Sequence, residues 1–365
     1  MSGAQSERGL LDAALESARI FNAVAAECAA TSGLLDAMHE FSSRRELMDR
    51  LRVQPAKARA FSALLDVLVD TGVAERVTVS GSAAYRHLAG VIAARRSDDG
   101  SLVRYRPTLG VLEPWFGEEH AELIHASNRS LLGDDLSFFR SETASIRFDA
   151  GFLDAWRINL SNPLYEFGRV VAVREMVRCG RRFLDLAGGL GYGAQRLAEF
   201  SPEGCEIVVV DKSEDFLREA RLVVYPGATV RFVARDLNLG LPPLGAASFD
   251  GVLFNGAFHF ISDKARRLRE IHRVLRPGGL LVIGHCFCRS DFDDEPMHDL
   301  YFSMMADEAW PISFDALRSL VADHGFHEFR HYHRGSHSYL LAERLPGNLP
   351  PTQPCSGHLA RQGPR

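Results

Sequence analysis

The sequence predicts an α/β protein whose second half forms a doubly wound parallel sheet with helices on both faces. Two observations carry this prediction. From about residue 181, short apolar runs alternate with helical segments, a pattern typical of strands that are buried on both faces. A glycine-rich segment at 185–193 follows the first of these runs and leads into a helix, which is where such sheets bind ligands.

Seven strands are expected in this half of the chain, each rich in branched or aromatic apolar residues. Because the first five strands are mainly continuous apolar runs, we expect a parallel sheet that is buried on both faces. The predicted strands are residues 182–186, 206–211, 228–234, 249–254, 280–284, 326–333 and 337–343, and the predicted helices are residues 191–200, 213–223, 262–275 and 313–324.

The first part of the chain is predicted to be mostly helical. Ser43 followed three residues later by Glu46 indicates a capped helix start. Pro55 suits the first turn of the next helix, which ends near Gly72. Two short strands within residues 73–88 then form a hairpin. Helix, turn, helix and hairpin in this order predict a winged-helix domain.

The chain is accordingly divided into four predicted segments. Residues 1–105 form the winged-helix domain, and residues 106–180 form a helical connector that is rich in aromatic side chains and packs on the next domain. Residues 181–344 form the α/β domain. Residues 345–365 are rich in proline and glycine, which predicts a disordered tail.

Composition excludes several classes of protein. A net charge of −5 over 365 residues argues against a nucleic-acid binder. The N-terminal segment lacks the pattern of a secretory signal, and no apolar run approaches the ~18 residues that a membrane helix needs. The six cysteines are scattered, as in reduced proteins. We therefore expect a cytoplasmic protein without membrane or nucleic-acid partners.

Acidic residues lie at or just after the carboxyl ends of the first three strands of the α/β domain. Asp185 precedes the glycines, Asp211 ends the second strand, and Asp236 follows the third. The carboxyl ends of parallel strands face one crevice, so the three carboxylates are expected to surround a single ligand. Gly189 and Gly191 also fit the dinucleotide fingerprint, which leaves a nicotinamide-dependent oxidoreductase as an alternative.

Residues 181–343 resemble the class I S-adenosylmethionine-dependent methyltransferases. The resemblance lies in the Asp-x-Ala-Gly-Gly-x-Gly run at 185–191, the acids at 211 and 236, and Arg-Pro-Gly-Gly at 276–279. It implies a Rossmann-like seven-stranded domain that binds S-adenosyl-L-methionine, with Asp185 on the amino group, Asp211 on the ribose and Asp236 on the adenine. The implied cofactor-binding residues are Asp185, Ala187, Gly188, Gly189, Gly191, Asp211, Lys212, Arg235, Asp236, Leu237 and Asn255.

Together with the predicted winged helix, the chain is similar to the small-molecule O-methyltransferases typified by plant caffeate and bacterial polyketide enzymes. This resemblance implies a homodimer formed through the N-terminal domain and a small aromatic or phenolic acceptor from secondary metabolism, such as antibiotic biosynthesis. It also implies that His259 is the general base, with Asp263 beside it in the catalytic set. A histidine suits that role because its ordinary pKa lies near 6.5.

The sequence departs from this subgroup at the residues that support the histidine. His285 stands where the subgroup has a glutamate, and the second glutamate has no direct counterpart, with Asp307 and Glu308 as nearby choices. This leaves C-methylation of an aromatic amino acid or keto-acid type acceptor as an alternative. His259, His285 and His298 with a carboxylate could then bind a metal, although no metal site is the preferred expectation. The acceptor pocket is expected to include Phe152, Trp156, Phe258, His285, Met305 and Trp310.

One alternative comes from another class of protein. A winged helix with basic residues at 44–59 is compatible with a DNA-binding regulator whose α/β domain senses a ligand, although the acidic composition disfavours it. The basic segment 264–269 is interpreted as the solvated face of a helix.

Overall fold

The computed structural model describes residues 20–88, 122–161, 163–286, 295–334 and 337–346. Most of the predicted tail and the first part of the predicted connector lie outside these residues. None of the described helices combines the length and apolarity that crossing a bilayer requires.

A seven-stranded sheet forms the centre of the second half, with the order β6-β5-β4-β7-β8-β10-β9. Strands β4 to β8 are parallel, while β10 runs antiparallel to both β8 and β9. This confirms the predicted strands, except that β8 begins five residues before the predicted 280–284. The strands are β4 (Arg182–Leu186), β5 (Cys205–Asp211), β6 (Ala228–Ala234), β7 (Phe249–Asn255), β8 (Leu275–Cys286), β9 (Phe326–Arg334) and β10 (His337–Arg344).

Helices cover both faces of this sheet. Neighbouring residues of a strand point to opposite faces, so each face presents its own set of apolar side chains. Leu184 packs in a core with helices α10 and α12, and Phe183 packs in a second core with α7, α8 and α9. The apolar side chains on both faces of the strands are therefore covered by apolar residues of the helices, as the sequence predicts. These helices are α7 (Pro163–Met176), α8 (Tyr192–Phe200), α9 (Glu214–Ala220), α10 (Lys264–Val274) and α12 (Phe314–Asp323).

The N-terminal part contains short helices and a three-stranded antiparallel sheet of order β1-β3-β2. The predicted capping box is present: the Ser43 hydroxyl accepts from the Glu46 amide, and the Glu46 carboxylate accepts from the Ser43 amide. The elements are α1 (20–31), α2 (Leu34–Ala37), β1 (Ser42–Ser43), α3 (Arg44–Leu51), α4 (Ala58–Asp70), β2 (Ala74–Val79), β3 (Ser82–His87), α5 (122–132) and α6 (Leu153–Leu160).

A helix inserted between β8 and α12 joins the two halves. This helix, α11 (Glu295–Ser303), shares one apolar core with α1, α4 and the connector. The segment after it pairs with the connector, since the Ile146 and Ala306 amides bond to the carbonyls of Met304 and Ile146 at 2.9 and 2.8 Å. These contacts hold α11 and the connector above the carboxyl edge of the sheet.

Candidate active site

A crevice opens above the carboxyl ends of β4, β5, β6 and β7, between the sheet and the connector. It holds about 1200 Å³ of empty space, including the part that is open to solvent. The chain reverses its direction of strand addition at β4, which has β5 on one side and β7 on the other. Ligands of open α/β sheets bind at such a switch point. Most of the predicted site residues line this crevice.

Asp185 lies at the end of β4 and is 2% exposed. Burial raises the pKa of its carboxyl from 3.8 to about 7, while a hydrogen bond from the Ala194 amide opposes that rise. The second oxygen, Oδ2, is buried without a hydrogen-bond partner. A Cβ at Gly188 or Gly193 would lie within 3.0 Å of this oxygen, so only glycines leave room around it. A buried carboxylate with an unsatisfied oxygen is suited to receive a cationic donor.

The glycine turn is held in place by Asp211. Its Oδ2 accepts from the Gly189 amide at 2.9 Å, and its Oδ1 accepts from the Ser213 amide at 2.8 Å. Burial raises the pKa of this carboxyl, and the hydrogen bonds from Ser213 and Gly189 oppose the rise. Asp211 lines the crevice, and each of its oxygens can accept a further hydrogen bond, which is the chemistry needed to bind ribose hydroxyls. Ala187 also lines the crevice and adopts a left-handed backbone, with φ of 53°.

The loop after β6 forms the other end of the crevice. Asp236 caps a short turn by accepting from the Asn238 amide at 2.8 Å. The guanidinium of Arg235 bonds to the carbonyls of Leu239 and Gly240, so Arg235 stabilises the loop. Leu237 is 6% exposed and supplies an apolar wall. A flat base with an exocyclic amino group fits between this wall and the Asp236 carboxylate.

Aromatic side chains of the connector cover the crevice. Phe148 stacks on Trp156 with 4.7 Å between ring centroids, and it meets Phe216 and Phe260 edge-on at 6.2 and 5.4 Å. Phe148 thus lies between Phe216 of α9 and Phe260 of the turn that carries His259. Trp156 is fixed by a 2.8 Å hydrogen bond from its indole to the Arg147 carbonyl. We call Phe148, Trp156, Phe216 and Phe260 the aromatic roof.

His259 lies on a short 3-10 turn after β7 and is 2% exposed. Its ring contacts Phe260 at 4.1 Å and Phe302 of α11 at 4.6 Å. Burial, together with the nearby Lys264 and His298, lowers the pKa of the imidazole to about 3. The ring is therefore neutral at physiological pH and able to accept a proton. Asn255 and Met305 line the crevice near this turn.

Several predicted site residues lie outside the crevice. Asp263 is exposed and caps α10 by accepting from the Arg266 amide at 2.9 Å, so its carboxylate is used for the helix. Phe258 is fully buried in the core against Phe254. Phe152 packs under the Arg147 guanidinium on the connector. Trp310 contributes its backbone amide, which bonds to the His259 carbonyl at 2.7 Å.

Gly191 is the N-cap of α8 with φ of 81°, and a Cβ there would lie 2.2 Å from the Tyr225 hydroxyl. This glycine therefore allows the turn to pack against Tyr225. The backbone of His285 is in β8, but its side chain is outside the described part of the structure. Among the residues that the structure describes, no group of three metal-ligating side chains is arranged to hold a metal ion.

The crevice also contains residues that sequence reasoning did not assign to it. Phe216 and Arg169 lie on helices whose patterns resemble any buried helix face, so no local signal identifies them. Lys212 was assigned to the cofactor, and its ammonium forms a 2.6 Å ion pair with Asp307 across the crevice. The additional lining residues include Phe148, Leu160, Tyr165, Arg169, Tyr192, Phe216, Asn238, Phe260, Tyr301 and Asp307.

Known proteins are similar to the part of the chain that builds this crevice. Residues 184–283 match the family model of the methyltransferase domain. A demethylmenaquinone methyltransferase of Thermus thermophilus is 38% identical over 135 residues, which are 35% of this chain and 60% of that protein. The ubiquinone/menaquinone biosynthesis C-methyltransferase UbiE of Yersinia enterocolitica is 31% identical over 136 residues, which are 35% of this chain and 54% of that protein. The chain thus spans little more than half the length of these relatives.

A solved structure extends the likeness to the N-terminal part. The CurJ carbon methyltransferase superposes with a TM-score of 0.59 at 14% identity, covering 90% of this chain and 91% of that one. At this identity the likeness concerns the fold.

The crevice fits S-adenosylmethionine on its own chemistry. The unsatisfied oxygen of Asp185 suits the amino group, the Asp211 carboxylate suits the ribose, and the wall beside Asp236 suits the adenine. Residues 184–283 thus match the methyltransferase domain family, and the crevice that they help to build has the groups that S-adenosylmethionine requires.

Proposed function

We propose that this protein transfers a methyl group from S-adenosylmethionine to a carbon atom of a small, uncharged acceptor, and that His259 removes the proton. The observation that carries this proposal is a buried, neutral imidazole that borders the crevice between the aromatic roof and α11. When bound, S-adenosylmethionine supplies an electrophilic methyl group and a neutral thioether leaving group. The protein must therefore align the acceptor and take up one proton.

His259 is suited to an acceptor whose C–H bond is already acidic. An imidazole with a pKa near 3 is a weak base, so it cannot ionise an ordinary C–H bond. A carbanion that is delocalised onto a carbonyl or phenol oxygen next to the ring would raise the pKa of the imidazole, because opposite charges favour each other. His259 would take up the C–H proton, and the electron pair left on carbon would be the nucleophile for the methyl group that bound S-adenosylmethionine supplies, with the neutral thioether as the leaving group. Carbon acids such as 1,3-dicarbonyls and activated phenols meet this requirement.

The charges in the crevice favour an uncharged acceptor. Among the described lining residues, the cations Lys212, Arg169 and Arg235 already bond to Asp307, Glu166 and the Gly240 carbonyl. An acceptor carboxylate would therefore lose its hydration without gaining a cation, which is costly. This disfavours the amino-acid and keto-acid acceptors considered from the sequence. The aromatic roof offers stacking surface for a flat, apolar acceptor instead.

Carbon is favoured over oxygen as the methyl acceptor on two grounds. The sequence lacks the glutamate pair expected of the O-methyltransferases, and the groups that shift the pKa of His259 are Lys264 and His298, neither of which is a carboxylate. One sequence relative is a C-methyltransferase and one structural neighbour is a carbon methyltransferase. These likenesses support the proposal without determining the substrate of this chain.

The proposal is tested with cofactor that carries a ¹³C methyl group. We expect the full chain to methylate members of a panel of 1,3-dicarbonyl and phenolic acceptors, with the label appearing as a C-methyl signal in the product. His259→Asn should lower turnover by at least ~100-fold, the usual scale for a lost general base, and leave affinity for S-adenosylhomocysteine nearly intact. Asp263→Asn is the control, because its carboxylate lies outside the crevice. Labelled methoxy products, or full turnover without His259, would contradict the proposal.

The N-terminal elements also support a proposal about assembly. We propose that residues up to about 105 act as a winged-helix-type domain through which two copies of the chain associate, as the order of helices and hairpin indicates. Sedimentation equilibrium of the full chain tests this, with a dimer as the expected result and a monomer as the contradicting one.

A further inference from the structure

Lys264 is buried at the first position of α10, where the sequence predicts a solvated basic face. That prediction is wrong for two residues of the segment, since Lys264 is 9% and Arg267 is 1% exposed. The first turn of a helix is an unfavourable place for a cation, because the helix dipole is positive there. Within the described residues, no carboxylate lies at salt-bridge distance from the Lys264 ammonium. A buried charge in such a place is costly, which points to a role beyond the stability of α10.

The contacts of Lys264 connect the turn that carries His259 to a distant segment. Its Nζ donates to the Ile261 carbonyl at 2.6 Å and to the Trp310 carbonyl at 2.7 Å. The Trp310 amide in turn donates to the His259 carbonyl at 2.7 Å. The ammonium also lies 5.7 Å from the centroid of the Phe258 ring. These hydrogen bonds attach both sides of the histidine turn to residue 310, and we call this arrangement the lysine clasp.

We propose that Lys264 is a positioning residue for His259: the lysine clasp fixes the histidine turn against residue 310 and keeps a positive charge beside the imidazole. This inference rests on the proposed role of His259 as the base. The groups that act on the imidazole are Lys264 from α10 and His298 from α11. Burial lowers the pKa of Lys264 to about 8 and that of His298 to about 4, so Lys264 is the one that carries charge at neutral pH. A neighbouring cation disfavours protonation of the ring, so this charge weakens His259 as a base, and the positioning role rests on the hydrogen bonds of the lysine clasp.

The coupling is measured by histidine NMR, which requires no methyl transfer. The chain is labelled with ¹³C-histidine, and His259→Asn assigns the His259 signal by its absence. In the natural protein, we expect this signal to stay that of neutral imidazole from about pH 6 upward and to show a small inflection near pH 8, where Lys264 loses its charge. An absent inflection would overturn the inference.

Two substitutions separate the charge from the hydrogen bonds. Lys264→Met removes both, whereas Lys264→Gln removes the charge but retains two N–H donors for the carbonyls. Both should abolish the inflection, and Lys264→Gln carries the test if the methionine variant does not fold. Arg266→Met is the matched control, since it removes an exposed cation from the same turn of α10 and should leave the inflection intact. An inflection that persists in Lys264→Gln would refute the coupling.

Kinetics then distinguish positioning from mere stability. We expect Lys264→Met to lower kcat by about tenfold or more while affinity for S-adenosylhomocysteine and the acceptor KM change less than about twofold. Unchanged kcat would refute the positioning role. If the natural protein shows the inflection but transfers no methyl group, the proposed function is refuted, whereas the link between Lys264 and His259 is retained.

Discussion

Asp185→Asn provides a test in which cofactor binding and stability change in opposite directions. Asparagine has nearly the shape of aspartate and retains an oxygen for the Ala194 amide. In place of the unsatisfied Oδ2 it presents an NH₂ group, which cannot accept from the amino group of the cofactor. The variant therefore loses one charge-assisted hydrogen bond, worth about 1.5–3 kcal/mol. This corresponds to a loss of affinity for S-adenosylhomocysteine of about 10- to 150-fold.

The same substitution is expected to stabilise the free protein at alkaline pH. The folded-state pKa of Asp185 is raised from 3.8 to about 7, so the free energy of unfolding falls as pH rises through that interval. At about 1.4 kcal/mol for each pH unit, the full loss above pH 7 amounts to about 4 kcal/mol as an upper bound. Asparagine has no charge to bury, so the variant should unfold at a higher temperature than the natural protein near pH 8.

Calorimetric titration with S-adenosylhomocysteine and thermal unfolding, both between about pH 6 and pH 8, measure the two effects. The natural protein should bind more tightly as pH rises through 7, because the carboxyl must lose its proton to receive the amino group. The variant should lose this dependence. Asp263→Asn, an exposed helix cap, is the control for the loss of a carboxylate as such. Equal affinity of Asp185→Asn and the natural protein near pH 8 would refute the reasoning.

Two further predictions concern the turn and the roof. Gly191→Ala should lower the free energy of unfolding by more than Gly204→Ala, because both glycines have φ near 80° but only at Gly191 would the Cβ meet another residue, the Tyr225 hydroxyl at 2.2 Å. Left-handed strain alone, common to both variants, costs about 1–2 kcal/mol. Equal losses of the two variants in urea unfolding would contradict the contact with Tyr225. Phe148→Ala should raise the acceptor KM by about tenfold, because the ring joins Trp156 to Phe260 in the roof. A KM that stays constant would mean that the acceptor binds elsewhere.

The parts of the site that lie on strand ends were accessible from the sequence. Asp185 and Asp211 each close an apolar run, so their place at the carboxyl edge follows from the strand pattern alone. His259 is likewise fixed by the strand before it. Asp263 was misassigned because the sequence does not show that α10 begins one residue later and takes its carboxylate as a cap.

The roof and the lysine clasp depend on contacts between distant segments. Phe148 meets Phe216 across 68 positions of sequence, and Lys264 meets Trp310 across 46. An aromatic residue or a lysine has the same local pattern whether it faces solvent, core or ligand. The solvated face predicted for 264–269 failed for this reason, since the burial of Lys264 and Arg267 is decided by what packs on α10.

The most direct test of the account is a crystal structure of the chain with S-adenosylhomocysteine. We expect the amino group of the ligand on Asp185, its ribose hydroxyls on Asp211, and its sulfur facing the space between His259 and the aromatic roof. A ligand that leaves Asp185 without a cationic partner, or whose sulfur faces away from His259, would contradict it.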